Sequence, residues 1–377
     1  MVKPDPTSVA SDILYTCREV GSRLRRFPEK MAARSKARRV RIFDAREPAL
    51  NYGNLAPFKV NRPIGGEIKL IHLRKSFPEW FDKFNLMYLV SSALPPQVEE
   101  LVRIAKKRGA KLVWNQNGVA YPGCYGDFYP WLNRRMELLR SQADYIVNQS
   151  EFSRISAERY LGPSSVPSEI AFNPVDTSLF SPRESPMTAG PWQLLAAGTS
   201  HALYRTKSAL DTLRVLLSRG RDAHLTIAGE FRWKNAGAEV KEAMRGLERR
   251  VTILPPFRQE EAPGIYRAAH LLLHTKYNDP CPTVPIEAMA SGLPVVATRS
   301  GGMPELVPDS CGILAPVATG WDRDLAGDPE LLADAVEHVM GNHDMMSESS
   351  RRRAVETFDL AAWMRRHAVI FGKVLSS

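Results

Sequence analysis

The sequence predicts an α/β protein built as two doubly wound, mostly parallel halves. Three observations carry that prediction. Short apolar runs of strand length alternate with stretches of helix length along most of the chain. A stretch rich in proline, glycine and small polar residues, 173–191 (NPVDTSLFSPRESPMTAGP), breaks the alternation near the middle. The alternation then restarts. A length of 377 residues accommodates two domains of ordinary size.

In the first half, strands are expected at Val40–Phe43, Leu70–Leu73, Met87–Ser91, Lys111–Trp114 and Tyr145–Asn148. Helices are expected at Pro96–Arg108, ended by Gly109, and at Trp131–Gln142. Asn51–Gly66 reads as a long loop, and its adjacent Gly65 and Gly66 make it a candidate acceptor or phosphate loop. No G-x-G-x-x-G occurs, so it is not a dinucleotide fingerprint. In the second half, strands are expected at Gln193–Ala197, His224–Ala228, Val251–Leu254, Leu271–His274, Val295–Thr298 and Gly312–Leu314. The helices between and after them are Ser208–Ser218, Glu260–Ala268, Val284–Ala290 and Pro329–Met340. The expected boundaries are 1–172 for the first domain, 173–191 for the linker and 192–355 for the second domain. The tail, 356–377, contains an amphipathic stretch, Leu360–Val374, expected to pack back on the first domain.

Composition narrows the function. Apolar residues make up 44% and charged residues 24%, which is the profile of a folded soluble protein. Cys17, Cys124, Cys281 and Cys311 lack metal-ligand or disulfide-framework spacing, which fits a reducing compartment and predicts no structural metal. No apolar run reaches the ~20 residues of a membrane span. The start, MVKPDPTS, lacks the basic-then-apolar order of a secretory signal. The net charge is +10, and much of the excess lies early, so phosphate-bearing partners are favoured. Residues 8–26 fit a basic amphipathic helix suited to an anionic membrane, or equally a helix packed on its own domain. Interleaved aromatics are missing from the basic stretch, so no nucleic-acid partner is expected. The expected location is the cytoplasm, with peripheral contact at the inner membrane face.

The most informative segment is Asp279–Glu305, DPCPTVPIEAMASGLPVVATRSGGMPE. Asp279 and Glu287 stand eight residues apart, before and within the expected helix. The loop Ser300–Pro304 leaves the end of the next strand, where open α/β sheets place ligands. Carboxylates accept hydrogen bonds from vicinal hydroxyls, so this arrangement suits a ribose or a sugar. An ordinary surface helix with an acidic start has the same pattern.

Several ordered motifs resemble one family. AAGTS…RTKSALDTLRVL, RVTILPPFRQEEAPGIYRAAHLLLHT, the segment from Asp279 and the first-domain phrase ADYIVNQSEFSRISAERYLG with NPVDTSLFSP all match its pattern, from about Ala143 to Val307. The family is glycosyltransferase family 4 (glycosyl transferases group 1), retaining enzymes of the GT-B fold with two facing Rossmann-like domains and an interdomain cleft. The resemblance implies transfer of a sugar from a UDP-, GDP- or ADP-sugar to a hydroxyl of a saccharide, glycolipid or small-molecule acceptor. It implies no metal cofactor. Glu287 would bind ribose hydroxyls and Asp279 sugar hydroxyls. Backbone N–H groups at Thr283 and Val284 would hold phosphate or sugar, with Pro282 in place of the family's usual glycine. Lys207 and Arg205 would neutralise the leaving diphosphate, with Lys207 preferred, and Gly198 and Thr199 would let the backbone approach it. Asn115, Asn117, Gly118, Gly65 and Gly66 are acceptor-side candidates, and Asn117 stands where the family often has histidine. Other readings on the same architecture are a nucleotide-sugar epimerase, a phosphorylase, or a non-catalytic nucleotide- or carbohydrate-binding protein.

Overall fold

The structure, a computed structural model, describes residues 31, 35, 37–39, 41–42, 47–54, 65–185, 187, 190–255 and 257–377. The expected basic helix 8–26 lies outside the described residues, as does most of the loop after Asn54.

The first domain contains β1 (Arg41–Ile42), β2 (Leu50–Asn51), β3 (Lys83–Phe84), β4 (Leu86–Val90), β5 (Lys111–Gln116), β6 (Tyr145–Asn148) and β7 (Ser168–Ile170). Its main sheet has the order β2-β4-β5-β6-β7, parallel throughout. The strand β1 pairs with β3 in a separate ladder. Among the described residues, α1 (Gly66–Ser76), α2 (Val98–Lys107), α3 (Pro122–Tyr125), α4 (Tyr129–Arg140) and α5 (Glu151–Leu161) accompany these strands. The strand expected at Leu70–Leu73 is instead the middle of α1. Gly66, Lys69, Leu70 and Leu73 form its buried face at helical spacing, a pattern that an apolar-run reading misses.

The second domain contains β8 (Trp192–Ala197), β9 (Ala223–Ala228), β10 (Val251–Leu254), β11 (Leu271–His274), β12 (Val295–Thr298) and β13 (Gly312–Ala315). The order is β10-β9-β8-β11-β12-β13, again all parallel. Sheet residues alternate between two cores. Leu195, Leu272, Val295 and Ala297 face one, while Leu194, Leu271, Leu273 and Val296 face the other. Burial on both faces is why these strands read as continuous apolar runs. The helices are α6 (Leu203–Ser218), α7 (Ala236–Ala243), α8 (Ala262–Arg267), α9 (Thr283–Ala290), α10 (Met303–Leu306), α11 (Pro329–Gly341) and α12 (His343–Thr357).

A final helix, α13 (Leu360–Leu375), crosses back to the first domain. Its Trp363, Ile370, Phe371 and Val374 share a core with Leu50, Tyr88 and Val113. Linker and tail are tied together where the Val175 N–H donates to Phe358 O (2.8 Å) and the Leu360 N–H donates to Val175 O (2.9 Å).

The domains also meet directly. Trp321, in the loop between β13 and α11, stacks on Phe152 with ring centroids 5.1 Å apart and planes 11° apart. Its edges meet Tyr121 (5.2 Å) and Tyr160 (5.5 Å). The Gly123 N–H donates to Trp321 O at 2.7 Å. Both Glu305 carboxylate oxygens accept from the first turn of α5, from Glu151 N–H (2.6 Å) and Phe152 N–H (2.8 Å). A second-domain acid thus satisfies N–H groups that a first-domain helix leaves open.

Candidate functional site

Parallel sheets expose the C-terminal ends of their strands to a cleft, and here the two sheets share one. A cavity of about 140 Å³ lies between Gly198 and Ala197 at the end of β8, Thr283, Val284 and Glu287 on α9, Gln259 and Tyr266 near α8, and Ile68 from the first domain.

Glu287 is the anionic group of this cavity. Tyr266 Oη donates to its Oε2 (2.7 Å) and Gln259 Nε2 donates to its Oε1 (3.3 Å). Burial pushes its pKa up to about 7, against the lowering effect of those two donors. Pro282 caps α9 with extended backbone and no side-chain hydrogen bond. Pro285 lacks an N–H, so Thr283 and Val284 supply the free N–H groups of the first turn. Gly198 has φ +94°, and a Cβ there would press Val284 at 3.2 Å, so glycine keeps this wall open.

A second group of charges adjoins the end of β11. Asp279 is buried, with Lys276 Nζ at 2.8 Å and His274 Nε2 at 4.0 Å. Burial raises its pKa, but Lys276, His274 and Arg205 together hold it below the usual carboxylate range. Burial pushes His274 down to about 3, and Arg205 adds to that, so its imidazole is neutral. The Arg205 guanidinium donates to Thr199 O (2.5 Å) and leaves its Nε unpartnered. Burial lowers its pKa, while Asp279 and Tyr204 oppose the shift.

Lys207 does not join this group. It is exposed and pairs with Asp211 at 2.5 Å, one turn along α6. The reason is register. The helix starts at Leu203 rather than at the expected Ser208, which turns Arg205 inward and Lys207 to solvent. The Ser300–Pro304 loop also sits behind the site rather than lining it. There Ser300 Oγ accepts from Asn278 N–H (3.1 Å), and the Gly302 N–H donates to Asp279 O (2.8 Å). It therefore fixes the backbone that presents Asp279.

On the first-domain wall, Asn115 and Asn117 are buried at the end of β5. Their side-chain oxygens both accept from Lys69 Nζ at 2.7 Å. Gly118 faces the second domain, where a Cβ would lie 3.1 Å from Pro280 Cγ. Gly65 caps α1 and Gly66 packs against Val90 and Ser92. Sequence reasoning did not pick out Lys69, Tyr266, Gln259 or Trp321. Only Lys69 carried a signal: it is a charge on the stripe Gly66–Lys69–Leu70–Leu73.

The architecture defines a class. The two facing sheets have the GT-B fold. HepE of Anabaena, solved with UDP-glucose, superposes with a TM-score of 0.63 over 85% of this chain and 86% of its own, at 19% identity. Sucrose-phosphate synthase of Thermosynechococcus elongatus gives 0.60 over 82% and 76%, at 16% identity. At such identities the likeness is one of fold. Sequence then narrows the class: residues 193–342 match the family of glycosyl transferases group 1, as the motifs predict. D-inositol 3-phosphate glycosyltransferase of Salinispora tropica is 38% identical over 117 residues, 30% of this chain. The same enzyme from Mycobacterium sp. (strain KMS) is 35% identical over 120 residues, 32% of this chain. These matches span 22% and 26% of those relatives' own length.

Proposed function

We propose that the protein is a retaining glycosyltransferase that moves a sugar from a nucleoside-diphosphate sugar to an acceptor hydroxyl. The observation that carries this reading is the cavity at the end of β8. It joins one carboxylate, Glu287, to two uncapped helix N–H groups and a glycine wall. In that reading Glu287 accepts from the ribose hydroxyls. Thr283 and Val284 N–H groups and Arg205 face the diphosphate, and Gly198 and Thr199 give it backbone room. Asp279 accepts from sugar hydroxyls. Asn115, Asn117, Gly118, Gly65 and Gly66 form the acceptor side. The group 1 family match and the UDP and UDP-glucose complexes of HepE support the donor class.

The chemistry follows from charge. The bond from the anomeric carbon to the β-phosphate oxygen breaks, and the bonding pair leaves with the diphosphate. The acceptor oxygen attacks the same face, and its proton passes to the departing phosphate oxygen. Stabilising that developing charge is the main task, and Arg205 with the α9 N-terminus performs it in a cleft that excludes water. Side chains and N–H groups carry the charge in this scheme, so EDTA should leave turnover unchanged.

The test is a turnover screen of UDP-, GDP- and ADP-hexoses with saccharide and polyol acceptors, followed by NMR. The expected result is a glycoside with the anomeric configuration of its donor. An isomerised donor would establish an epimerase, and phosphate-dependent release of a sugar phosphate would establish a phosphorylase.

A further inference from the structure

The first-domain wall holds a buried cation that the reading above does not use. Lys69 is the next residue after the cavity-lining Ile68 and is 4% exposed. Its ammonium donates to Asn115 Oδ1 (2.7 Å), Asn117 Oδ1 (2.7 Å) and Gln149 Oε1 (3.4 Å). These acceptors stand at or just beyond the C-terminal ends of β5 and β6, where ligands meet parallel sheets. All three are neutral amides.

No acidic side chain pairs with Lys69 among the described residues. Among the described residues, the titratable groups that face it are Cys281, from the second-domain side of the cleft, and His367, from α13 behind the sheet. Neither supplies a negative charge. Burial pushes the Cys281 thiol up to about 12 and the His367 imidazole down to about 3. A buried charge ordinarily has a counter-charge, because desolvation alone disfavours it. Burial accordingly pushes the Lys69 pKa down to about 7. The same cluster holds a fully buried amide nitrogen, Asn115 Nδ2, with no hydrogen-bond partner. The site thus has an excess of donors and positive charge.

We infer that Lys69 is the counter-charge for an oxyanion, a phosphate or carboxylate group of a ligand, that enters this wall of the cleft. The oxyanion replaces Gln149 Oε1, the longest of the three bonds. The inference rests on the cleft being a nucleotide-sugar site. The oxyanion has two possible sources, the donor diphosphate or an anionic group on the acceptor.

Calorimetric titration of the full chain at pH 7.5, in two buffers of different ionisation enthalpy, counts the protons exchanged on binding. The first arm adds UDP. The second adds inorganic phosphate to UDP-saturated protein. Burial lowers the Lys69 pKa to about 7, and a bound oxyanion raises it, so binding shifts Lys69 toward its charged form and takes up protons. Glu287 titrates in the same range, so the readout is wild type compared with Lys69→Met and Lys69→Arg. Wild type should take up more protons on binding than Lys69→Met. Its affinity should exceed that of Lys69→Met by about tenfold. Lys69→Arg stays charged and should bind like wild type without the uptake. Uptake with UDP assigns the oxyanion to the donor, and uptake confined to the phosphate arm assigns it to the acceptor. Equal proton counts and affinities in wild type and Lys69→Met, in both arms, overturn the inference. If UDP does not bind, GDP and ADP take its place in the first arm; if none of the three binds, the donor-site reading falls, and phosphate added alone still decides the role of Lys69. If Lys69→Met does not fold, uptake that persists in Lys69→Arg contradicts the inference.

Discussion

At the residue scale, Glu287 and Arg205 are the groups whose loss should be felt most. A carboxylate that accepts from ligand hydroxyls contributes about 1.5–3 kcal/mol, so Glu287→Gln should weaken UDP binding by roughly tenfold or more. Because burial raises its pKa to about 7, wild-type affinity should climb as pH rises from 5.5 to 8. Part of that climb is the nucleotide's own phosphate ionisation, with a pKa near ~6. Glu287→Gln retains that part and loses the rest. Stability has the opposite sign. The folded pKa is raised, so the contribution is complete below about 4.5 and is lost as pH rises through about 7. Thermal melts should therefore show Glu287→Gln gaining on wild type between pH 5 and 8. Arg205→Ala should lose most UDP affinity, whereas Lys207→Ala should bind UDP within about twofold of wild type, because its ion pair with Asp211 is exposed. The sequence singled out Glu287 through its spacing from Asp279. It preferred Lys207 to Arg205, whereas in the structure Arg205 is the inward-facing cation and Lys207 the exposed one, because two cations two residues apart differ only in helix phase.

At the element scale, legibility followed burial. The strands β8, β11 and β12 are buried on both faces, and their apolar runs mark them within a residue. The strand β2 has two residues, too few for any period, and Leu70–Leu73 within α1 reads as a strand because it is a short apolar run. The loop that carries Trp321 gave no signal, since PVATGWDRDLAGD reads only as turns. Its docking is nevertheless specific. A Cβ on Gly123 would stand 2.8–2.9 Å from the Arg323 backbone, closer than real contacts allow. Gly123→Ala should therefore lift the loop from α3 and lower the melting temperature by several degrees, as a loss of ~1–2 kcal/mol would. A melt indistinguishable from wild type would mean that this contact does not hold the domains.

At the scale of the whole molecule, the domains are held together by the linker and tail, by Glu305 capping α5, and by Trp321 among three aromatic rings. Aromatic pairs contribute roughly 0.5–1.5 kcal/mol each beyond their area. Trp321→Ala should thus shift the population toward a more open cleft, read as a larger radius of gyration in small-angle scattering that UDP reverses. The basic segment 8–26 adds a separate expectation. If the segment binds anionic membrane rather than its own domain, the 377-residue chain should float with anionic liposomes and a chain lacking residues 1–35 should not; failure of both to bind would end the membrane reading. The central claim remains that the cleft is a donor site organised by Glu287. Calorimetric titration of purified protein with UDP, GDP and ADP, repeated on Glu287→Ala, tests it most directly. The account predicts a Kd on the order of micromolar for at least one nucleotide, weakened at least tenfold in the variant. Folded protein that binds none of the three, or a variant that binds as well as wild type, would contradict it.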